Sequence, residues 1–128
     1  MQINSPALSL TVDNVAATAD FYVEHFGFRA TVSVESFAKL AHDDSDLELC
    51  FMQRGSEVLP EDFRDRRADG VILAFVVRDA KAEETRLRAA GMTITMPMQD
   101  EEWGERLFQV KDPNGTPVEI VEWVATDD

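Results

Sequence analysis

The feature that most constrains the fold is an internal duplication, in which one order of predicted elements occurs twice. In the first copy, the alternating stretch ALSLTV predicts a strand, and a helix follows between an N-cap at Asn14 and a C-cap at Gly27. The segments FRATVSV, SFAKLAH and LELCFMQ predict three more strands. The sequence therefore predicts one βαβββ module at residues 7–53.

The second copy follows the same order at nearly the same spacing. VILAFVV predicts a strand, Asp79 caps a helix that Gly91 ends, and MTITM, ERLFQVK and TPVEIVEW predict strands, the last two joined by a DPNG turn. The duplication predicts an α+β protein with a first module at residues 1–54, a linker at 55–70 and a second module at 71–128. The linker is charged and contains proline and glycine, as connections between modules often do.

The net charge narrows the classes of partner. The chain has 12 Lys and Arg against 25 Asp and Glu, a net charge of −13, which repels nucleic acid and favours neutral or cationic small molecules. Cys50 is the only cysteine, so no intramolecular disulfide is expected. Its apolar neighbours indicate that it is a small buried hydrophobic residue and not a nucleophile. The first residues contain no basic region and no apolar run that could span a bilayer. We therefore expect a cytoplasmic protein that binds neither nucleic acid nor membrane.

Two local patterns within these modules resemble one protein family. The first helix ends in FYVEHFGF and the last hairpin is DPNGTPVEIVE. Their order and spacing resemble the vicinal oxygen chelate superfamily, which includes glyoxalase I, extradiol dioxygenases and bleomycin resistance proteins. The resemblance covers residues 7–124. It implies that the curled mixed sheets of the two modules form a cup. We expect a homodimer, in which the modules pair within one chain or swap between the two chains.

Metal-dependent members of that superfamily hold a cation in the cup. The resemblance implies two acidic ligand positions late in the modules, at Glu48 and Glu119. The two early positions, often histidine in the family, fall on Ala7 and Ile72, which cannot bind a metal. Iron, zinc and nickel sites need at least three good donors, and the two histidines are predicted at the ends of a helix and a strand. We expect no metal and no cofactor, although two carboxylates could hold Mg²⁺ or Ca²⁺ weakly.

The two acidic positions have a second interpretation. Alternation along the predicted strands places Glu48 and Glu119 each on a mixed apolar face. Without the resemblance, we would expect a carboxylate at a sheet edge that reaches water or pairs with a basic residue such as Arg106. The resemblance instead implies that both faces point into the cup, where a carboxylate needs a hydrogen bond or a cation.

The stretch MQDEEWGERLF resembles the bleomycin and mitomycin resistance branch of the superfamily. In that branch, a Trp-Gly pair followed by a basic or amide residue precedes the final hairpin, and the tryptophan flanks the drug cleft. The resemblance implies ligand-binding roles for Trp103 and Arg106, and the acidic neighbours of Trp103 favour a planar or cationic ligand. Alternatively, Trp103 packs its loop against the core. Phe37 and Phe51 are candidates for an opposite wall, although most phenylalanines in such a chain belong to the core.

Two classes of function follow from these observations. The first is a metal-free protein that binds a small molecule, sequestering a planar aromatic antibiotic or metabolite that can carry a positive charge. The alternative is an enzyme of the superfamily, a lyase, isomerase or dioxygenase, in which Glu48 or Glu119 acts as a metal ligand or general base. The missing early ligands favour the first class. An ordinary metabolite as the ligand is a third possibility that the sequence leaves open.

Overall fold

The structure, a computed structural model, describes residues 1–124 and divides into two compact units, Met1–Asp69 and Gly70–Asp128. Each unit contains one helix and a four-stranded mixed sheet. The elements follow the order βαβββ in both units, so the predicted α+β class and the predicted duplication are confirmed. Neither helix of the described chain has the length and hydrophobicity that crossing a bilayer would require.

The first unit is built around a central strand, β4. Its elements are β1 (Ala7–Val12), α1 (Val15–Phe26), β2 (Arg29–Val34), β3 (Phe37–His42) and β4 (Ser45–Gln53). The sheet order is β1-β4-β3-β2, with β1 parallel to β4 and the other neighbours antiparallel. Side chains of β4 therefore have a neighbouring strand on each side.

Two capping residues set the ends of α1, as predicted. The side chain of Asn14 accepts a hydrogen bond from the backbone N–H of Ala17 at 3.0 Å. Gly27 has a φ of 75°, a left-handed conformation that residues with a side chain rarely adopt. A Cβ atom at Gly27 would also lie 3.3 Å from Nε2 of His42. The helix therefore ends on a glycine that the backbone and the neighbouring strand both require.

One face of the first sheet packs against α1 and forms the core of this unit. Tyr22 on the helix and Phe51 on β4 are fully buried, and their rings stack with centroids 5.3 Å apart. Fully burying one large apolar side chain stabilises the fold by roughly 1.5–3 kcal/mol. The other buried apolar residues on this face of the sheet are Leu10, Val12, Ala38, Leu40 and Leu49.

The second unit repeats this topology. Its elements are β5 (Leu73–Val76), α2 (Ala80–Ala89), β6 (Met96–Asp100), β7 (Glu105–Lys111) and β8 (Pro117–Trp123). The sheet order is β5-β8-β7-β6, with β5 parallel to β8 and the other neighbours antiparallel. Strand β8 therefore occupies the place that β4 has in the first unit. The buried apolar residues of this unit include Leu73, Leu87, Phe108, Val110, Val118 and Ile120.

The second helix has one more cap than the first. Oδ1 of Asp79 accepts a hydrogen bond from the backbone N–H of Ala82 at 3.0 Å, as predicted. In addition, Oε1 of Glu122 on β8 accepts from the backbone N–H of Ala80 at 2.9 Å. The helix N-terminus carries a partial positive charge, so both carboxylates stabilise it. Gly91, predicted to end the helix, follows it with a φ of 86°.

One strand of the second unit begins later than predicted. The sequence pattern placed a strand at MTITM, whereas β6 starts at Met96 and runs to Asp100. The alternation of apolar and polar residues continues through MTITMPM, so it does not mark where pairing begins. Pro97 lies where the register shifts between Met96 and Gln99, on a strand at the sheet edge. Proline has no N–H to donate and is tolerated at such irregular edge positions.

The segment predicted as a linker forms hydrogen bonds within the first unit. The N–H of Gly55 donates to the carbonyl of Arg64 at 2.8 Å, which closes a compact loop. The guanidinium of Arg64 donates to the carbonyl of Leu59 at 3.0 Å inside that loop. Farther along, the N–H of Ala68 donates to the carbonyl of Thr11 on β1 at 3.2 Å. Residues 55–69 accordingly group with the first unit rather than standing apart from it.

Candidate functional site

The first unit holds one of the two predicted carboxylates between two donors. Glu48 lies on β4 directly opposite Ala7 of β1. Oε1 of Glu48 accepts a hydrogen bond from Oγ of Ser5 at 2.7 Å, and Oε2 lies 3.0 Å from Nζ of Lys39. The hydrogen bonds from Ser5 and then from Lys39 lower the pKa of the Glu48 carboxyl. Both oxygens of this carboxylate therefore have a partner, one of them a cation.

The surroundings of Glu48 are mixed in polarity, as predicted. Cys50 follows on the same face of β4, opposite Lys39 of β3, and Met52 lies opposite Phe37. Phe37 is half-buried and therefore remains a candidate for contact with a ligand. Burial, the largest effect, raises the pKa of the Cys50 thiol. A protonated thiol is a poor nucleophile, so Cys50 is a packing residue here.

Phe51 does not line this face, and its predicted role as a wall is wrong. Side chains alternate along a strand, so Phe51 points to the side opposite Glu48 and Cys50. There it is fully buried and stacks on Tyr22. Phe51 belongs to the core of the first unit.

In the second unit, the other carboxylate, Glu119, accepts a hydrogen bond from a neutral side chain. Glu119 lies on β8 between Gln109 of β7 and Ala74 of β5, each directly opposite it in the register. Nε2 of Gln109 donates to Oε1 of Glu119 at 2.9 Å. Within residues 1–124, no cationic side chain forms a salt bridge with this half-buried carboxylate. Within the described part of its own unit, Glu119 thus has a neutral partner and no cationic one.

Arg106 pairs with Asp100, so the alternative interpretation, in which a basic residue such as Arg106 pairs with the carboxylate, does not hold for Arg106 and Glu119. The register of the β7–β8 hairpin places Arg106 opposite Glu122, on the face opposite that of Glu119. The guanidinium binds Asp100 through two contacts, 2.8 Å from Oδ1 and 3.4 Å from Oδ2. The hydrogen bond to Asp100 raises the pKa of Arg106, and the same bond lowers the pKa of Asp100. Arg106 and Glu119 therefore lie on opposite faces of the second sheet.

Trp103 lies in the turn between β6 and β7, with 64% of its surface exposed. Its indole is thus not packed into the core, contrary to the alternative interpretation of the sequence. The N–H of Val124 donates to the carbonyl of Gly104 at 2.8 Å, which ties this turn to the end of β8. Along β7, Gln109 lies four residue positions after Glu105, which corresponds to about 13 Å of strand. Trp103 and Glu119 therefore belong to one unit but lie far apart along the direction of its strands.

The donor atoms do not fit a transition metal. Ala7 lies opposite Glu48, and the register places Ala74, rather than the predicted Ile72, opposite Glu119. Neither alanine has a donor atom. Among the residues that the structure describes, no group of three His, Cys, Asp or Glu side chains is arranged to hold a metal ion. A cation at Glu48 would also have to displace the ammonium of Lys39.

Three functional candidates were not predicted from the sequence. Ser5, Lys39 and Gln109 are the side chains that contact the two carboxylates. Lys39 and Gln109 are polar residues inside otherwise apolar strands, in SFAKLAH and ERLFQVK, and that pattern could have indicated them. Ser5 precedes β1 and gives no such signal, because its contact depends on the path of residues outside any strand.

Known proteins share both the sequence pattern and the fold. The family model described as Glyoxalase/Bleomycin resistance protein/Dioxygenase superfamily matches residues 3–120. An uncharacterized protein from Mycobacterium tuberculosis is 30% identical over 132 residues, which cover 90% of this chain and 74% of that protein. A similar match, covering 82% of its sequence, is found in Mycobacterium bovis.

Solved structures agree with this match at the level of the fold. A glyoxalase/bleomycin resistance protein/dioxygenase from Nocardioides has a TM-score of 0.77 at 19% identity, covering 100% of this chain and 88% of that chain. TioX from Micromonospora sp. ML1 has a TM-score of 0.73 at 22% identity, covering 95% and 100%. Lactoylglutathione lyase from Agrobacterium tumefaciens has a TM-score of 0.73 at 18% identity, covering 91% of each chain. The chain belongs to the glyoxalase/bleomycin resistance protein/dioxygenase superfamily.

Proposed function

We propose that this protein binds a small organic cation without transforming it, with Glu119 as the charged contact. The observation that carries the proposal is the pairing of Glu119 with the neutral amide of Gln109. A half-buried carboxylate is stabilised by a nearby cation. Within the described part of the second unit no cationic side chain pairs with Glu119, including exposed Lys111 two residues beyond Gln109, so a cationic ligand would supply the missing charge.

The surroundings of Glu119 favour an organic cation over a hydrated inorganic ion. On β5, exposed Ala74 lies opposite Glu119, and exposed Val76 follows on the same face. A metal ion would need further oxygen or nitrogen donors, which these apolar neighbours do not supply. An alkyl or aromatic ammonium group, in contrast, can place its carbon atoms against them.

Trp103 supports an aromatic ligand. Its indole is exposed and stands beside Glu101, Glu102 and Glu105 in the sequence. Stacking and cation–π contacts each contribute on the order of 1 kcal/mol. Strand spacing puts about 13 Å between the level of Glu119 and the start of β7, so only an extended planar ligand would contact both side chains.

The contacts of Glu48 argue against the enzymatic alternative in the first unit. A general base works best when its pKa is near the working pH. The hydrogen bonds from Ser5 and Lys39 move the pKa of Glu48 in the opposite direction. The fold itself does not choose between binding and catalysis, since one fold hosts many functions and lactoylglutathione lyase, named for an enzymatic activity, is among the structures that share it.

The test is calorimetric titration with proflavine, a planar tricyclic cation, compared with acridone, a neutral molecule of similar shape. We expect proflavine to bind more tightly than acridone. Glu119→Gln should weaken proflavine binding by about 1.5 kcal/mol or more, because a charge-assisted contact is lost. Glu48→Gln is the matched control and should leave the affinity nearly unchanged, because Glu48 is already paired with Lys39. Equal losses in the two variants would contradict the proposal.

A chelator provides a separate check on the role of metal. Because the donor atoms do not fit a transition metal, excess EDTA should change neither the affinity for proflavine nor the stability of the fold. Elemental analysis of the dialysed protein should find no stoichiometric Zn, Ni or Fe. Loss of binding in EDTA, restored by one of these metals, would support the enzymatic alternative instead.

A further inference from the structure

The two carboxylates occupy matching places in the duplicated fold but have different partners. Glu48 on β4 and Glu119 on β8 each lie on the central strand, between the strand that precedes the helix and an antiparallel neighbour. Both oxygens of Glu48 are engaged, by Ser5 and by Lys39. Glu119 is engaged through Oε1 alone, by Gln109. Among the described residues, no donor contacts Oε2 of Glu119.

We infer that Gln109 determines the charge specificity of the Glu119 site, and that a cationic side chain in its place would close the site to cationic ligands. The inference rests on the proposed function, since it concerns the same carboxylate. It adds a positioning residue that acts on the ligand through Glu119.

The chemistry of the amide explains this role. An amide N–H donates a hydrogen bond but carries no charge, so it orients Oε1 of Glu119 without neutralising the carboxylate. The second oxygen then remains available to a ligand. An ammonium group at the same place would form an ion pair with the carboxylate and would also repel an incoming cation. The first unit contains such an ion pair, formed from a diagonal position: Lys39 lies opposite Cys50, and its ammonium is 3.0 Å from Glu48.

The backbone holds Gln109 in position. Gln109 lies directly opposite Glu119 on one side and Met96 of β6 on the other. Its carbonyl accepts hydrogen bonds from the backbone N–H of Thr95 at 2.9 Å and from the hydroxyl of Thr95 at 3.2 Å. The position is therefore fixed from both neighbouring strands, and a substitution there changes the side chain with little freedom for the backbone to move.

The test compares Gln109→Lys with Gln109→Met by titration with proflavine. The two variants have side chains of similar length and both remove the amide, but only lysine adds a charge. At about 0.15 M salt, which screens the distant charges of this acidic protein, Gln109→Lys should lower the affinity by about tenfold or more. Gln109→Met, which removes the orienting hydrogen bond but adds no charge, should lower the affinity by only about threefold. Circular dichroism verifies that both variants fold.

The outcomes separate this inference from the proposed function. Failure of the wild-type protein to bind proflavine would overturn the proposed function. Binding by the wild type that both variants weaken equally, or that neither weakens, would leave that function standing and overturn the role of charge at Gln109.

The reverse substitution tests the same rule in the first unit. Lys39→Met removes the cation from Glu48 and leaves the donor Ser5 in place, so that Glu48, like Glu119, has a neutral hydrogen-bond partner and no cationic one. The variant should bind a second proflavine molecule, so the stoichiometry should rise from one to two per chain. A stoichiometry that stays at one would overturn the rule that the partner's charge decides which carboxylate is available.

Discussion

The two units of this protein have the same topology, yet they treat one shared feature in different ways. In each unit the central strand carries a glutamate on the face opposite the helix. The first unit neutralises Glu48 with Lys39, whereas the second leaves Glu119 with the neutral Gln109. The comparison teaches that topology places a side chain, while the residue beside it decides its chemistry. Membership of the superfamily therefore describes the scaffold, and the partners of the two carboxylates distinguish their functions.

The cores of the two units, in contrast, are alike. Phe51 on β4 and Phe108 on β7 are both fully buried, on the faces that pack against α1 and α2. A duplicated fold must bury a helix against a sheet twice, so this face tolerates little variation. The opposite face buries fewer side chains, Leu107 and Val121 in the second unit, so the two units can differ there.

The largest expected effect tests this division between the two faces. Phe51→Ala and Phe108→Ala should each lower the free energy of unfolding by about 3–5 kcal/mol, because each leaves a cavity in a packed core. Phe37→Ala is the control, since Phe37 is half-buried on the other face of the first sheet, and it should cost clearly less. Urea denaturation followed by circular dichroism measures all three. A loss for Phe37→Ala as large as that for Phe51→Ala would break the comparison.

The next effect concerns the two exposed tryptophans of the second unit. Trp103 and Trp123 are 64% and 56% exposed, so they form a matched pair. Trp103→Phe should weaken proflavine binding by about 1–2 kcal/mol and remove most of the quenching of indole emission. Trp123→Phe is the control and should have less effect, because the proposal assigns the stacking contact to Trp103 in the turn before β7 and not to the end of β8. Equal affinities in both variants would show that Trp103 is an exposed residue without a role in binding.

Helix ends and most strands could be predicted from the sequence because their signals are local. Asn14, Gly27 and Asp79 act as expected, since capping depends on residues within one turn. Strand β1 has the predicted bounds for a similar reason, because the alternation of apolar and polar residues directly indicates a strand with one buried face. The start of β6 was not predictable in this way, because the alternation extends beyond the paired residues.

The candidate site was predicted less well, because its contacts depend on register between strands. The position of Glu119 on a mixed face follows from its own strand, but its partner follows from the pairing of β7 with β8. That register selects Gln109 and places Arg106 on the other face. The error at Phe51 has a simpler origin, since alternation within LELCF already separates Phe51 from Glu48.

The helix caps sharpen the comparison at a smaller scale. Asn14→Ala and Asp79→Ala should each cost about 1 kcal/mol of stability, because each leaves a backbone N–H at a helix N-terminus without its acceptor. Ala80 in the second unit keeps a bond to Glu122, which has no described counterpart at α1 among residues 1–124. Glu122→Gln should therefore weaken α2 further when it is combined with Asp79→Ala. Thermal unfolding of the single and double variants measures this, and strictly additive losses would show that the two caps act independently.

The smallest expected effect is the pH dependence that Ser5 and Lys39 give to the first unit. Their hydrogen bonds lower the pKa of folded Glu48 below its ordinary value of 4.5. A lowered carboxyl pKa stabilises the folded state fully above the ordinary pKa, and this stabilisation is lost as the pH falls through the lowered value. Ser5→Ala should therefore lower the melting temperature slightly at pH 7, with a difference from the wild type that disappears in acid. The exposed Ser9→Ala on β1 is the control and should give a difference without this pH dependence. A Ser5→Ala difference that is constant with pH would show that Ser5 contributes packing rather than charge stabilisation, and the first unit would then depend on Lys39 alone to neutralise Glu48.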